Sequence, residues 1–459
     1  MRIGQGGGAA TQACAVLLLG AALAVGVRAQ ETGATRNDLS SISALALARD
    51  PAFSAAQAVR AANAEAPVQA AANLWPNLTA SLGDTANRVN FHSGSPQLAP
   101  DFQKTFNAWG PSLQLNMPVF NRALWDGLDE AHIALAQDEA NLAQSRSDLL
   151  LRTAQAYFDL LGAQDALAAL RENKRAVSEQ LAQAKREFEV GTKTVVDTHE
   201  AKARYDQIDA QEQVALGELA VRRSALRAIT GDDPGTLREL RDPVLLPPPQ
   251  PNDVETWSRE AERSSPAVAA AQAGMLVASS GLRRARDAYQ PTVNLTGSVQ
   301  YQKQDNGSIY IPVSNALTNT TLGITLSIPV FTGGALQSRV REAHAREDQA
   351  RAELDRARRN AAHGARQAYA GVDYGLAQVQ ALESAEVSAR TQLESTRLGY
   401  QVGMRLNLDV LNANTQLFNT RRDLKRARYD VIVNGLRLKA AAGRLGDEDL
   451  AAVNLLLLH

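Results

Sequence analysis

Apolar and polar residues alternate strictly in two stretches of the chain. Leu113, Leu115, Met117 and Val119 are interleaved with Gln114, Asn116 and Pro118, and Leu322, Ile324, Leu326, Ile328 and Val330 with Gly323, Thr325, Ser327 and Pro329. Successive side chains of a strand point to opposite faces, so both stretches predict strands with one apolar and one polar side. Residues 74–89 and 106–120 read as one strand pair. Such segments meet the roughly 9 to 11 residues that a tilted strand needs to cross an outer membrane.

Elsewhere the period is that of a helix. Residues 39–73 are Ala-rich and interrupted only by Pro51 and Pro67, which predicts a broken helix. Residues 123–189 and 335–401 contain no proline. In the first of these, Leu142, Leu149, Ala156, Ala163, Leu170, Val177 and Ala184 recur every seven positions, with Leu160, Leu167, Leu181 and Phe188 in a second register. That is a coiled-coil seam. At ~1.5 Å per residue it makes a rod of roughly 100 Å, which Gly191 and Gly403 would end as helix-terminal glycines do. Residues 196–230 and 408–442 read as return helices about half as long, so each rod needs a second short helix lying end to end with the return helix.

The chain is duplicated. Ala131-His132 recurs as Ala343-His344, Gln155-Ala156-Tyr157 as Gln367-Ala368-Tyr369, Val190-Gly191 as Val402-Gly403, Asp197 as Asp409 and Gly231 as Gly443, all 212 positions apart. The predicted organisation is a first repeat at residues 30–241, a connector at 242–253, a second repeat at 254–445 and a C-terminal segment at 446–459. Pro243, Pro247, Pro248, Pro249 and Pro251 make the connector extended. Four strands cannot close a barrel, and open edges in lipid would leave backbone groups unpaired, so copies must associate.

Composition narrows the function by exclusion. Lys and Arg (48) balance Asp and Glu (49) in 459 residues, so no basic excess marks a nucleic-acid partner. Arg2, an apolar run at residues 13–27 and Val27-Arg28-Ala29 predict an export signal over residues 1–29, with a mature start near Gln30. The single cysteine, Cys14, rules out a disulfide framework and stands badly for lipid attachment. There is no Walker A loop and no Gly-x-Ser-x-Gly elbow, and His199-Glu200 is followed by Ala203 where a zincin needs histidine. His132 and His344 occupy equivalent positions, one such histidine on each long helix, which more often packs or is solvated than binds, so no metal or other cofactor is expected.

With this order of elements, the run Tyr400-Gln401-Val402-Gly403-Met404-Arg405-Leu406-Asn407-Leu408-Asp409-Val410-Leu411-Asn412-Ala413 and the closing Gly446-Asp447-Glu448-Asp449-Leu450-Ala451-Ala452-Val453-Asn454 resemble the TolC family of outer-membrane channel-tunnels. The resemblance implies a mixed fold: a homotrimer whose outer-membrane β-barrel, four strands per chain, is continuous with a long α-helical coiled-coil barrel reaching across the periplasm. It implies a passive exit duct, not an enzyme, served by a periplasmic adaptor and an inner-membrane transporter and bounded by outer-membrane lipid. Type I protein secretion and multidrug efflux both fit. The alternative from the residues alone is a structural or adhesive trimeric envelope protein with a solid stalk, although Ala on several helix faces suits a hollow wall better than a single narrow seam.

The resemblance also assigns residues. Val190, Gly191, Thr192, Val402, Gly403 and Met404 match the hairpin tips that meet an adaptor. Tyr400 and Arg405 match groups that tie the inner hairpin to the outer one, with Asp197 as their acceptor. Asp409 and Asn412 fall at a constriction where the family can carry two aspartates; Asn412 departs from that pattern and leaves one carboxylate per chain.

Overall fold

The computed structural model describes residues 37–92, 94, 101–192, 194–307 and 313–458. The predicted export signal, Cys14 and Gln30 lie outside the described residues. The first repeat comprises α1 (Leu39–Arg49), α2 (Pro51–Asn63), α3 (Ala66–Ala72), β1 (Asn77–Phe91), β2 (Phe102–Phe120), α4 (Arg122–Glu189) and α5 (Val195–Thr230). The second comprises α6 (Val254–Ser264), α7 (Pro266–Asp287), β3 (Thr292–Asp305), β4 (Asn315–Ser327), α8 (Ala335–Gln401) and α9 (Asn407–Ala441), followed by α10 (Asp447–Asn454). Pro51 and Pro67 sit in the first turns of α2 and α3, where a missing N–H leaves no helical bond unmade, so they divide the Ala-rich stretch into three helices. Asp50 caps α2 by accepting from the Phe53 N–H at 2.8 Å.

The strands form one antiparallel sheet in the order β1-β2-β3-β4. Directly opposed residues make rows across it. Leu78, Leu115, Gly297 and Leu322 form one row, and Ala80, Leu113, Val299 and Thr320 another on the same face, with Met117, Leu295 and Ile324 beyond them. The opposite face carries Thr79, Gln114, Ser298 and Thr321, then Ser81, Ser112, Gln300 and Asn319. Hydroxyls pair across that polar face at 2.7 Å, Ser81 with Ser112 and Ser298 with Thr321. The expected phase therefore runs through all four strands. Leu82, Leu322 and Ile324 are 74%, 76% and 73% exposed, an apolar face that nothing in a single chain covers.

The strand limits differ from the sequence pattern in two places. β4 ends at Ser327, so Ile328 and Val330 lie past it. The register shifts between Pro118 and Phe120, which puts Phe120 rather than Val119 opposite Val293; proline has no N–H for the ladder, and the strand slips there. At Gly110 the backbone of β3 comes so near that an added Cβ would lie 1.8 Å from the Tyr301 carbonyl oxygen, so only glycine fits.

Along α4 lie α3, α2 and α1 in turn and then α5, so short helices complete the length of the long one; α6 and α9 flank α8, and α7 packs on both α4 and α8. The seven-residue seam of α4 is buried at Leu149, Leu160, Ala163, Leu167, Val177 and Ala184, but Phe188 at its foot is half exposed. Around Leu149–Leu161 the seam widens to several faces because α1, α5 and α9 converge there. Tyr157 and Phe158 fill this waist, with the Phe158 and Tyr429 rings 5.5 Å apart and the Tyr157 hydroxyl donating to the Arg238 carbonyl at 3.0 Å. The connector and tail are tied into it. Arg241 Nε donates to the Leu457 carbonyl at 2.9 Å, Trp257 Nε1 to the Pro251 carbonyl at 2.8 Å, and the Leu39 N–H to Asn454 Oδ1 at 3.0 Å.

The two sheet faces make opposite demands. Leu115→Arg, in the middle of the apolar face, should cost about 2 to 4 kcal/mol and reduce assembly, while Gln114→Arg on the polar face should be tolerated. Heat-modifiable mobility of membrane extracts compares them, and equal tolerance would contradict the assigned faces.

Candidate gate at the helical hairpin ends

Both hairpins turn on a glycine with left-handed backbone. Gly191 has φ of 73° and Gly403 of 78°. The Thr192 N–H reaches back to the Glu187 carbonyl at 2.9 Å and the Met404 N–H to the Gly399 carbonyl at 2.8 Å, which satisfies the last carbonyls of α4 and α8. Nothing lies within 4 Å of a Cβ placed at either glycine, so a side chain there strains the turn without striking a neighbour. Val190, Val402, Met404 and Leu406 project from the turns, 73%, 63%, 82% and 66% exposed.

The return helices start alike. Asp197 accepts from the Thr194 N–H at 3.2 Å and its hydroxyl at 2.9 Å, and Asp409 accepts from the Leu406 N–H at 3.1 Å. Both aspartates thus cap the first turn of a helix, where a negative charge also suits the helix dipole. Asp409 additionally borders a cavity of about 440 Å³ shared with Gln392, Arg405, Asn412 and Gln416.

Within one chain the hydrogen bonds between the hairpins involve Tyr400, the Asp197 carbonyl, which accepts from Asn407 Nδ2 at 3.5 Å, and several groups beyond those that the resemblance assigns. Tyr400 is 7% exposed and its hydroxyl donates to Glu187 Oε2 at 2.6 Å rather than to Asp197. Burial, the bond to Glu187 and, last, the charge of Asp197 push the Tyr400 phenol well above its ordinary range, so it stays protonated and remains a donor. Among the described residues no ion pair joins Arg405 to Asp197, whose Oδ2 serves its cap, and Arg405 lies against side-chain-free Gly399, where an added Cβ would be 2.8 Å from Arg405 Cγ. Asn412 accepts from Arg204 Nη2 on α5 at 3.1 Å. Gln180 Nε2 donates to Oδ1 of fully buried Asn407 at 2.9 Å. Nearer the waist, Lys425 Nζ and the Tyr429 hydroxyl, on α9, both donate to Asp165 on α4, at 2.5 Å and 2.6 Å.

Glu187, Gln180, Arg204 and Asn407 escaped the sequence reading, though a signal for some of them exists. The duplication aligns Glu187 with Gly399, Phe188 with Tyr400, and Val195 with Asn407. At these three positions the polar group present in only one repeat bridges to the other, whereas Gln180 aligns with Gln392 and Arg204 with Gln416, polar in both. The described residues contain no cluster of potential metal ligands; His344 Nδ1 lies 3.1 Å from Asp348 on the helix surface.

The family described as "Outer membrane efflux protein" matches residues 42–232 and 257–444, one match in each repeat. Outer membrane protein TolC of Vibrio cholerae is 29% identical over 405 residues, covering 88% of this chain and 90% of that protein. Outer membrane protein TolC of Escherichia coli is 30% identical over 356 residues, covering 76% of this chain and 72% of that protein. The fold is shared with the outer membrane channel CmeC of Campylobacter jejuni at a TM-score of 0.77 and 17% identity, over 91% of this chain and 89% of that one. The chain belongs to the outer membrane efflux protein family and is a duct of the outer membrane, not an enzyme.

Proposed function

We propose that three copies close one barrel and one helical tunnel, and that the hairpin ends form the closed periplasmic mouth of this passive exit duct. The observation that carries the reading is a sheet with two free edges and one apolar face, leading directly into helices 68 and 67 residues long. Free edges in lipid have no water to bond, so they must meet edges of other copies. The number three rests on the resemblance. The exposed Val190, Val402 and Met404 offer apolar knobs to the helices of a periplasmic adaptor, as Gly191, Thr192 and Gly403 offer compact turns. An inner-membrane transporter would supply the energy. Protein secretion and small-molecule efflux remain the two cargo classes that this duct suits. A solid stalk is the competing reading, and current through single particles in a planar bilayer separates the two, since a stalk conducts none.

The latch in this reading is the set Tyr400–Glu187, Arg204–Asn412 and Gln180–Asn407, with Asp197 biasing the Tyr400 phenol and Arg405 beside Asp409 at the constriction. The exposed Arg204–Asn412 link contributes about 0 to 1 kcal/mol, and the part-buried Gln180–Asn407 and Tyr400–Glu187 bonds about 1 to 3 kcal/mol each, small enough for ties that must be released when the mouth opens. Tyr400→Phe combined with Arg204→Ser should raise single-channel conductance several-fold, whereas adding Arg405→Ser to Tyr400→Phe should change little. Unchanged conductance in the first pair would remove these ties from the gate.

Replacement of Gly191 or Gly403 by phenylalanine should abolish export while leaving trimers in the membrane, because the space is open and the strain of a left-handed turn is only about 1 to 2 kcal/mol. Loss of trimers would make the glycines purely structural.

Three Asp409 carboxylates should give weak cation preference and weak block by trivalent cations from the periplasmic side. Asp409→Asn should abolish the block. Asn412→Asp alone should strengthen it little, since the new carboxylate would pair with Arg204; Asn412→Asp with Arg204→Ala should strengthen it clearly. Block indifferent to Asp409 would move the constriction elsewhere.

A further inference from the structure

At the opposite end of α4 from Gly191, two carboxyl groups meet just below the barrel. Asp126 lies in the second turn of α4, immediately after β2, and is 4% exposed. Asp287 is the last residue of α7, shortly before β3 begins at Thr292. The two side chains are in hydrogen-bonding contact; Asp287 Oδ1 also accepts from Gln290 Nε2 at 2.9 Å, whereas Asp126 Oδ2 is buried without a donor, which places the proton on Asp126. Ionised carboxylates only accept, so a contact of this kind requires a proton on one of them.

The surrounding charges do not remove that requirement. On α4, Arg122 Nε is 3.6 Å from Asp287 Oδ2, and Glu130 is engaged by Arg284 of α7 at 3.2 Å; Asp129 is exposed. On α7, Arg283 donates to Ser280 Oγ at 2.8 Å, and Arg286 follows one turn on. Arg339, Glu342 and Arg346 of α8 border the adjoining cavity with Glu130 and Arg284, and α3, which packs on α4, has no titratable side chain. Among the described residues no cation forms an ion pair with Asp126, and two acids are held together where β2 and β3 pass into the helices.

We propose that Asp126 and Asp287 share a proton that clamps α4 to α7, so that the join between barrel and helices is tighter in acid than at neutral pH. Burial first, then the bond to Asp287 and its charge, push Asp126 up to about 6, against the opposing charges of Arg122 and Arg283. A folded value raised above the ordinary 3.8 means that the clamp's contribution is complete below that ordinary value and is lost as pH rises through about 6. At neutral pH the second charge pushes the two helix ends apart beside the paired strands β2 and β3. This device is independent of the hairpin ends and of the gate assigned to them.

The test is thermal unfolding of the full-length protein in detergent from about pH 4 to about pH 8, for wild type, Asp126→Asn and Asp287→Asn. The wild-type Tm should step down by a few degrees through about pH 6. Asp126→Asn should lose the step and hold its acid-side Tm across the range, because the amide keeps a donor between the helices whatever the pH. Asp287→Asn should flatten the profile in the same way and serves if the first variant fails to fold. The infrared spectrum of wild type minus that of Asp126→Asn, both labelled with 13C-aspartate and taken at about pH 5, where ordinary aspartates are ionised, should show a protonated carboxyl band that vanishes at neutral pH. Variant and wild-type profiles falling in parallel, or the absence of that band, would overturn the shared proton.

Discussion

Hydrocarbon offers a strand edge nothing to bond with, and that constraint shapes the whole chain. β1 and β4 each have one neighbour, so half of their backbone groups point away from any partner in the same chain. The row of Leu78, Leu115, Gly297 and Leu322 shows which side lipid covers, and the hydroxyl pairs show which side stays wet. A sheet of this kind has a defined place in the membrane and no way to be complete alone. The helices inherit the same dependence: α4 and α8 continue from β2 and β4 with exposed flanks that neighbouring copies would cover.

Duplication makes the structure economical and its exceptions informative. Equivalent turns at Gly191 and Gly403 and equivalent caps at Asp197 and Asp409 come from one repeated pattern. Identical repeats would have no reason to bond to each other more at one level than at another. Several of the bridging groups are positions where the copies differ: Tyr400 has the hydroxyl that Phe188 lacks, Glu187 faces it where the second repeat has Gly399, and Asn407, which accepts from Gln180, replaces an apolar valine. Links of this kind are weak singly and few, which keeps the hairpins associated without making their separation costly.

Much of the fold was legible because its signals are periodic. The alternation at Leu113, Leu115 and Met117 and the seven-residue spacing from Leu149 to Ala184 are local consequences of strand and helix geometry, and both appear in the structure. Val119, Ile328 and Phe188 depart from the pattern because a proline-induced slip, a strand end and the foot of a helix are decided by tertiary context. The turns that bound the candidate gate were legible, but not the side-chain pairs that the structure forms beside them. The resemblance has Asp197 accept from the other hairpin and Asp409 line a constriction, and each also caps its own helix through Oδ2; Glu187 and Arg204 look like ordinary surface charges until α4, α5 and α9 are laid side by side. Contacts between residues more than two hundred positions apart carry no local signature.

The claim that the sheet is completed only by other copies is tested most directly at its edges. Cysteine pairs scanned along β1 and β4, oxidised in intact outer membranes, should form disulfides at one register, only between chains, in a ladder that ends at three. Cross-links within a single chain, or none at any register, would contradict a barrel shared among copies.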